Sequence, residues 1–145
     1  MRTPRVYLPD ARTAGDELAL PAEAARHLTR VLRLESGHPV IAFNGEGGEF
    51  AAELAGTAKK PTVVLGTFHT REAESPLATE LWAGLSKGEK FDWVVQKATE
   101  LGVTAIRPVQ TARSVRRLDE QKAAKNRARW ERIAASACEQ CGRNR

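Results

Sequence analysis

The sequence predicts two successive parts of different fold class, a small β-barrel with one helix and then the opening of a parallel α/β layer. Three observations lead to this prediction. Short apolar runs punctuated by Gly and Pro fill residues 1–74, which is typical of a partly closed barrel. A polar boundary containing a proline lies at 72–76. Strand and helix patterns then alternate, as in parallel α/β layers. We therefore expect domains at 1–74 and 75–145.

In the first part, one helix interrupts a series of short strands. Pro21 suits a first helical position, and apolar residues from 22 to 34 recur at helical spacing before Gly37. These apolar residues predict one continuous helix with an inner face of Ala25, Leu28, Val31 and Leu32. Apolar segments predict strands at 6–8, 17–20, 39–43, 49–54 and 62–68.

In the second part, the predicted order is strand 79–85, helix 88–101, strand 103–109 and a long helix from Asp119. Gly102 provides a stop for the first of these helices. Its inner stripe is predicted to be Phe91, Val94 or Val95, Ala98 and Leu101, and that of the long helix Ala123, Trp130, Ile133, Ala134 and Ala137. We expect all three tryptophans, at 82, 93 and 130, to pack in the core. Two parallel strands are too few for a core of their own, so a partner or further chain should complete this layer.

The basic charge is concentrated near the end of the sequence. Residues 1–109 carry 13 Lys/Arg against 14 Asp/Glu, whereas residues 110–145 carry 10 against 4. A local positive field of this kind favours a polyanion such as nucleic acid. A soluble basic helix without a partner is the alternative interpretation.

Several function classes have no support in the sequence. No apolar run reaches the ~18 residues that cross a bilayer, and the first residues do not form a signal peptide, so we expect a cytoplasmic protein without membrane contact. Cys138 and Cys141 form a single CxxC after a helical pattern, without the further ligands that zinc needs. We expect two reduced cysteines at a helix end, no metal, and no hydrolytic nucleophile.

Two polar patterns are candidate sites. Arg26, Arg30 and Arg33 share one face of the predicted helix beside His27, which suits phosphate binding but also an exposed solvated face. A cluster of Glu139, Gln140, Arg143 and Asn144 follows the long basic helix. Lys97 and Glu100 are spaced for a helical ion pair.

Taken in order, the motifs resemble the RsmE family of bacterial 16S ribosomal RNA methyltransferases. They are Arg2-x-Pro4-Arg5-Val-Tyr7, His27-x-x-Arg30-Val-Leu-Arg33, Ser75-Pro76-Leu77, Gly88-Glu89-Lys90, Gln96-Lys97-x-x-Glu100-Leu-Gly-Val103, Arg113-Ser114 and Cys138-Glu-Gln-Cys-Gly-Arg-Asn144. The resemblance implies methylation of uracil N3 at position 1498 by S-adenosylmethionine, and a substrate in the small ribosomal subunit. It also implies a PUA-like barrel, a SPOUT domain with a trefoil knot, and a homodimer.

The resemblance and the charge placement together suggest site residues. Arg143 and Glu100 are the catalytic candidates, although a helix pair is the preferred role for Glu100. The candidates for RNA contact are Arg2, Arg5, His27, Arg30, Arg33, Lys97, Arg113, Gln140, Arg143, Asn144 and part of the basic face at 122–132. The glycine-rich and Arg-Thr-Glu-type segments that the family uses for its cofactor are not found in these 145 residues. We therefore expect no cofactor-binding residues in this chain. The alternative function is that of a non-enzymatic RNA-binding module.

Overall fold

The computed structural model of the protein describes residues 3–86, 89–112 and 119–145. The chain divides into two compact units. Met1–Ala73 together with Asn144–Arg145 form the first unit, and Glu74–Arg143 form the second. The predicted domain assignments, 1–74 and 75–145, stay predictions.

A five-stranded mixed sheet that curls into a half-barrel forms the first unit, and the order of its strands is β1-β3-β4-β5-β2. β1 and β3 are parallel, and the other neighbours are antiparallel. The strands are β1 Arg5–Tyr7, β2 Glu17–Ala19, β3 Pro39–Phe43, β4 Glu49–Thr57 and β5 Lys60–His69. The predicted strands are thus confirmed, and β4 runs three residues further than the apolar pattern indicates.

Alternate residues of these strands build the core of the first unit. Successive side chains of a strand point to opposite faces, so residues two apart in β3, β4 and β5 bury together. The buried cluster contains Val6, Leu8, Ala11, Leu28, Val40, Ala42, Phe50, Ala52, Leu54, Val63 and Leu65. The register shifts between Phe50 and Ala52, where a Cβ on Gly66 would lie 2.7 Å from the Ala51 carbonyl oxygen. Glycine therefore permits the irregularity at this point.

The predicted helix from 22 to 34 is wrong in its second half. Helix α1 spans Ala22–Arg26 only, and a π-helical turn follows at His27–Val31. Leu28 is buried, but Val31, predicted to face inward, is 61% exposed. A π turn has a wider repeat than an α-helix, so residues placed by a period of 3.6 are displaced around the axis.

The described residues of the second unit form two parallel strands and two helices. Strands β6 Glu80–Gly84 and β7 Ala105–Val109 pair in parallel, as predicted. Helix α2 is Lys90–Glu100 and helix α3 is Glu120–Cys141. Asp119 caps α3 by accepting from the Lys122 N–H at 2.8 Å. Left-handed glycines follow both helices, Gly102 at φ 91° and Gly142 at φ 90°.

An aromatic contact joins the α2 and α3 helices. The ring centroids of Phe91 and Trp130 are 4.5 Å apart, and the Trp130 indole N–H donates to Asp92 at 3.0 Å. Phe91 and Val95 are buried as predicted. Trp130 is half-buried, whereas Ala123 is exposed, so the predicted inner face of α3 holds only for its later turns.

The prediction that the other two tryptophans and Leu101 are core residues is wrong. Trp82, Trp93 and Leu101 are 68%, 63% and 88% exposed. Trp93 follows Phe91 by two residues, which is about 200° around a helix, so both cannot face α3. Trp82 alternates with the half-buried Leu81 and Ala83 and lies on the opposite face of β6. These residues were predicted to be buried because they are apolar. Their positions in the strand and helix repeats instead direct them to the exposed face.

Candidate functional site

Four basic residues of the first unit lie in the π-helical turn or next to it. We call them the arginine turn: Arg26, His27, Arg30 and Arg33. All four are exposed. None of their side chains has an ion pair or hydrogen bond to another described residue. The segment from 26 to 33 contains no acidic residue. An unneutralised group of guanidinium side chains is suited to bind phosphate oxygens.

The buried Leu28 and local hydrogen bonds hold the arginine turn on the core. The Leu32 N–H donates to the His27 carbonyl at 2.9 Å, and the Leu34 N–H donates to the Leu28 carbonyl at 2.9 Å. Thr29 Oγ1 donates to the Ala25 carbonyl at 2.7 Å. Arg33 lies between Leu32 and Leu34, whose N–H groups make these bonds, and its φ of 54° is in the left-handed region. The prediction that Arg33 extends the same helical face as Arg26 and Arg30 is wrong, because the helix ends before it.

Arg5, a predicted RNA contact, lies inside the first unit. Its side chain is 4% exposed and its Nη1 donates to Glu49 Oε2 at 2.7 Å. The guanidinium also lies 4.9 Å from the centroid of the Phe43 ring. Arg71 Nη1 donates to the same Glu49 oxygen at 3.1 Å. RNA contact by Arg5 stays a prediction, while the observed geometry gives the side chain a role in the core.

The pKa of Glu49 reflects this arrangement. Burial raises the pKa of the carboxyl, but the hydrogen bond from Arg5 and the charges of Arg5 and Arg71 outweigh burial, so the pKa is lowered overall. The carboxylate form is therefore favoured by folding.

Arg143, the predicted catalytic residue, binds protein groups of the second unit. Its Nη2 lies 2.5 Å from Glu74 Oε2, and its Nη1 donates to the carbonyls of Thr99 at 2.8 Å and Val103 at 3.0 Å. Its side chain is 11% exposed. The hydrogen bond with Glu74 raises the pKa of Arg143 against the opposing effect of burial. Arg143 thus donates to the Thr99 carbonyl, which also accepts from the Gly102 N–H, and to the Val103 carbonyl just beyond α2.

Asn144 belongs to the first unit and is fully buried. Its Nδ2 donates to the Arg71 carbonyl at 2.7 Å, and its own carbonyl accepts from the Gly47 N–H at 3.1 Å. The neighbouring Glu139 is half-buried and Gln140 is exposed, both in the last turns of α3. The structure therefore separates the terminal cluster, since Arg143 binds within the second unit and Asn144 within the first. The predicted catalytic and RNA roles of the cluster stay predictions.

The remaining candidates are dispersed. Lys97 Nζ binds Glu100 Oε2 at 2.8 Å, which confirms the predicted helix pair. On the basic face of α3, Lys122 pairs with Asp119, Arg127 with Glu131 and Arg129 with Asp92. Much of its charge is therefore neutralised locally. Arg2 and Arg113 lie outside the described residues.

The two cysteines are free thiols, Cys138 buried and Cys141 exposed, in the last turn of α3. Within residues 3–86, 89–112 and 119–145, no three His, Cys, Asp or Glu side chains are grouped as a metal site. No helix in the part of the chain that the structure describes is long and apolar enough to cross a membrane.

Comparisons with known proteins give a match for each of the two units. Residues 73–145 match the family model for the RNA methyltransferase domain, and residues 20–65 match that for the RNA methyltransferase PUA domain. The chain belongs to the RsmE family of RNA methyltransferases. The ribosomal RNA small subunit methyltransferase E of Bacillus subtilis (strain 168) is 39% identical over 127 residues, which are 87% of this chain and 50% of that protein.

Two solved methyltransferase structures are similar to this chain over its length. The ribosomal RNA small subunit methyltransferase E of Neisseria gonorrhoeae, bound to S-adenosyl methionine, is 40% identical with a TM-score of 0.88, covering 99% of this chain and 59% of that one. A Legionella pneumophila methyltransferase in complex with the same cofactor gives a TM-score of 0.91 at 40% identity, covering 100% and 60%. This chain thus spans about half to three fifths of the length of its relatives.

The two catalytic candidates of the second unit bind other groups of the protein. In the second unit, Arg143 is engaged by Glu74 and by two carbonyls, and Glu100 by Lys97. Their catalytic roles stay predictions, as does the expectation that no residue of this chain binds the cofactor.

Sequence reasoning missed three features of the site. It did not identify Glu49 or Glu74 as the partners of predicted RNA-binding arginines, because each lies 44 or 69 residues from its arginine. It also missed the π-helical turn. The sequence offered only a weak sign of this turn. Val31 and Leu32 are both apolar, so either of them could face the core, as in a regular α-helix or in one interrupted by a π turn.

Proposed function

We propose that this chain supplies the RNA-holding part of an enzyme that methylates uridine N3 at position 1498 of 16S ribosomal RNA, with S-adenosylmethionine as methyl donor. The observation that carries the proposal is the arginine turn, a set of unpartnered basic side chains on a PUA-like unit in a family of RNA methyltransferases. The relatives named ribosomal RNA small subunit methyltransferase E support the choice of substrate.

The architecture proposed for the whole enzyme follows the same family. The second unit, with its two parallel strands, is the first portion of a SPOUT domain whose knotted region binds the cofactor. The enzyme acts as a homodimer in the cytoplasm on the small ribosomal subunit. The length that the relatives have beyond the matched part supports a cofactor site made of further residues.

The proposed chemistry sets clear requirements on the protein. Uridine N3 is weakly acidic, so methylation is helped by removal of its proton and by stabilisation of the resulting charge. Holding N3 near the donor methyl group supplies a further large part of the rate increase. The residues of this chain serve the last requirement by binding and orienting RNA, with Arg26 and Arg30 as the principal phosphate contacts. Arg5 supports the fold of the unit that presents them.

RNA binding and its salt dependence test the proposal. Titration of the chain with a fluorescent fragment of 16S ribosomal RNA around the target uridine should show binding that weakens steeply from 50 to 200 mM salt, because each neutralised phosphate releases counterions. With about three contacts, the slope of log K against log salt should lie near −2 to −3. A flat response, or no binding at low salt, would contradict the proposal.

A non-enzymatic RNA-binding module is the second candidate, and the arginine turn supports it equally. The two functions differ in the effect of joining the chain to the carboxy-terminal part of a relative. If the chain is extended with the carboxy-terminal part of a close RsmE relative, the enzyme proposal predicts methyl transfer to N3 of the target uridine. Tight RNA binding without methyl transfer by a folded, cofactor-binding chimera would favour the binding module.

A further inference from the structure

Arg33 has a backbone conformation that the other described residues reserve for glycine. Among residues 3–86, 89–112 and 119–145, it is the one non-glycine residue with positive φ, at 54°. The left-handed conformation brings the Cβ of an L-residue close to the following carbonyl oxygen, so glycine is the usual choice. An arginine in this conformation has a backbone strain energy, which is retained where another interaction of the residue compensates for it.

The other helices of this protein show what a simple helix end requires. Gly102 follows α2 and Gly142 follows α3, both left-handed at φ 91° and 90°. In each case glycine ends the helix without strain. The arginine turn ends in the same conformation, with the Leu34 N–H bonded back to Leu28, but has an arginine at that position. Ending the helix therefore does not explain the choice of Arg33.

Contacts within the protein do not explain it either. The Arg33 side chain is exposed and has no ion pair or hydrogen bond with another described residue. The other arginines described in the first unit behave differently, because each has a carboxylate partner: Arg5 and Arg71 with Glu49, Arg12 with Glu46, and Arg145 with Glu72. The three arginines without a partner, Arg26, Arg30 and Arg33, are those of the arginine turn.

We infer that Arg33 contacts a phosphate of the bound RNA, and that the left-handed backbone is retained because it directs this guanidinium away from the helix and toward the RNA. The inference rests on the proposed function of the arginine turn in RNA binding. A guanidinium matches a phosphate with two parallel hydrogen bonds, which an ammonium group cannot reproduce. The phosphate thus offsets the cost of the strained conformation when RNA is bound.

Substitution with glycine separates this role from a structural one. In the full chain, Arg33→Gly removes both the strain and the guanidinium, so we expect a melting temperature that is unchanged or raised by about 3 °C. Affinity for the 16S ribosomal RNA fragment should fall about tenfold at 100 mM salt, and the magnitude of the salt slope should decrease by about 1. Arg33→Asn, which tolerates the left-handed conformation while keeping a Cβ, should give the same RNA defect.

Arg12→Ala is the matched control, because it removes an exposed arginine of the same unit that is already paired with Glu46. It should bind RNA within twofold of the unaltered chain. If the unaltered chain fails to bind RNA in a salt-dependent way, the proposed function itself fails. If it binds and Arg33→Gly and Arg33→Asn bind equally well, the inference about Arg33 fails alone. A loss of melting temperature in both variants would instead assign Arg33 a structural role and overturn the inference.

Discussion

Glu49 shows how one carboxylate decides which arginines of the first unit are available to a ligand. Its Oε2 accepts from Arg5 at 2.7 Å and from Arg71 at 3.1 Å. Removing charge from such a buried group leaves the opposite charge without compensation, which costs more than the pair contributes. The stability of the first unit therefore depends on Glu49.

We expect Glu49→Gln to destabilise the first unit by about 2–3 kcal/mol, because the buried Arg5 loses its charged partner. Hydrogen exchange of the amides in β3, β4 and β5 measures this change locally. Glu46→Gln, which alters the exposed pair with Arg12, is the control and should leave those amides unchanged. Equal protection in the Glu49 variant and the unaltered chain would contradict the assigned role.

The same pair gives a pH dependence. Because folding lowers the pKa of Glu49 below its ordinary value of 4.5, its contribution is fully present above that value and is lost as pH falls through the lower folded pKa. The difference in exchange protection between the unaltered chain and Glu49→Gln should therefore be largest near neutral pH and should shrink in acid.

Residue chemistry could be predicted from sequence only where the partner is near in the chain. The Lys97–Glu100 pair was predictable because three residues of helix place the two side chains together. The partners of Arg5 and Arg143 were not, because strand pairing and the return of α3 bring them together. The sequence indicated the basic residues as a group, but it could not show which of them are paired.

At the scale of elements, the ends of helices divide into two kinds. Gly102 and Gly142 end α2 and α3 without strain, whereas the arginine turn ends at Arg33. Local glycine signals made the end of α2 predictable. The end of the first helix was not, because the next glycine is Gly37, and apolar spacing does not reveal a π-helical turn.

We expect Gly102→Ala to destabilise the second unit by about 1 kcal/mol, because a Cβ disfavours the left-handed conformation. No atom lies within 4 Å of the added Cβ, so the effect is that of the backbone alone. Urea unfolding followed by tryptophan fluorescence reports this unit, since all three tryptophans lie in it. Gly84→Ala, with equally open space but no positive φ, is the control and should change stability little.

At the scale of the whole molecule, the two units differ in how their polar side chains are used. The described residues present an unpaired basic surface on the first unit, while the polar groups of the second unit stabilise that unit. The sequence predicted two parts of different class from a change of apolar pattern. It did not predict that Asn144–Arg145 rejoin the first unit, since that depends on hydrogen bonds to Arg71 and Gly47.

We expect isothermal calorimetry of this chain with S-adenosylmethionine to detect no tight binding, because the segments that the family uses for its cofactor are not in the sequence. The ribosomal RNA fragment, titrated in the same buffer, serves as the positive control for a folded chain. Low-micromolar affinity for S-adenosylmethionine would show that the 145 residues form a cofactor site after all.

The ion pair between Glu74 and Arg143 joins the first and last residues of the second unit across 69 positions of the chain. During synthesis on the ribosome, the strands of the first unit emerge well before either Arg143 or Asn144. The Gly47 N–H can form its hydrogen bond only after Asn144 has been synthesised, because its acceptor is the carbonyl of that residue. The sheet can therefore form early, but the loop between β3 and β4 completes its hydrogen bonding only after the whole second unit has been translated.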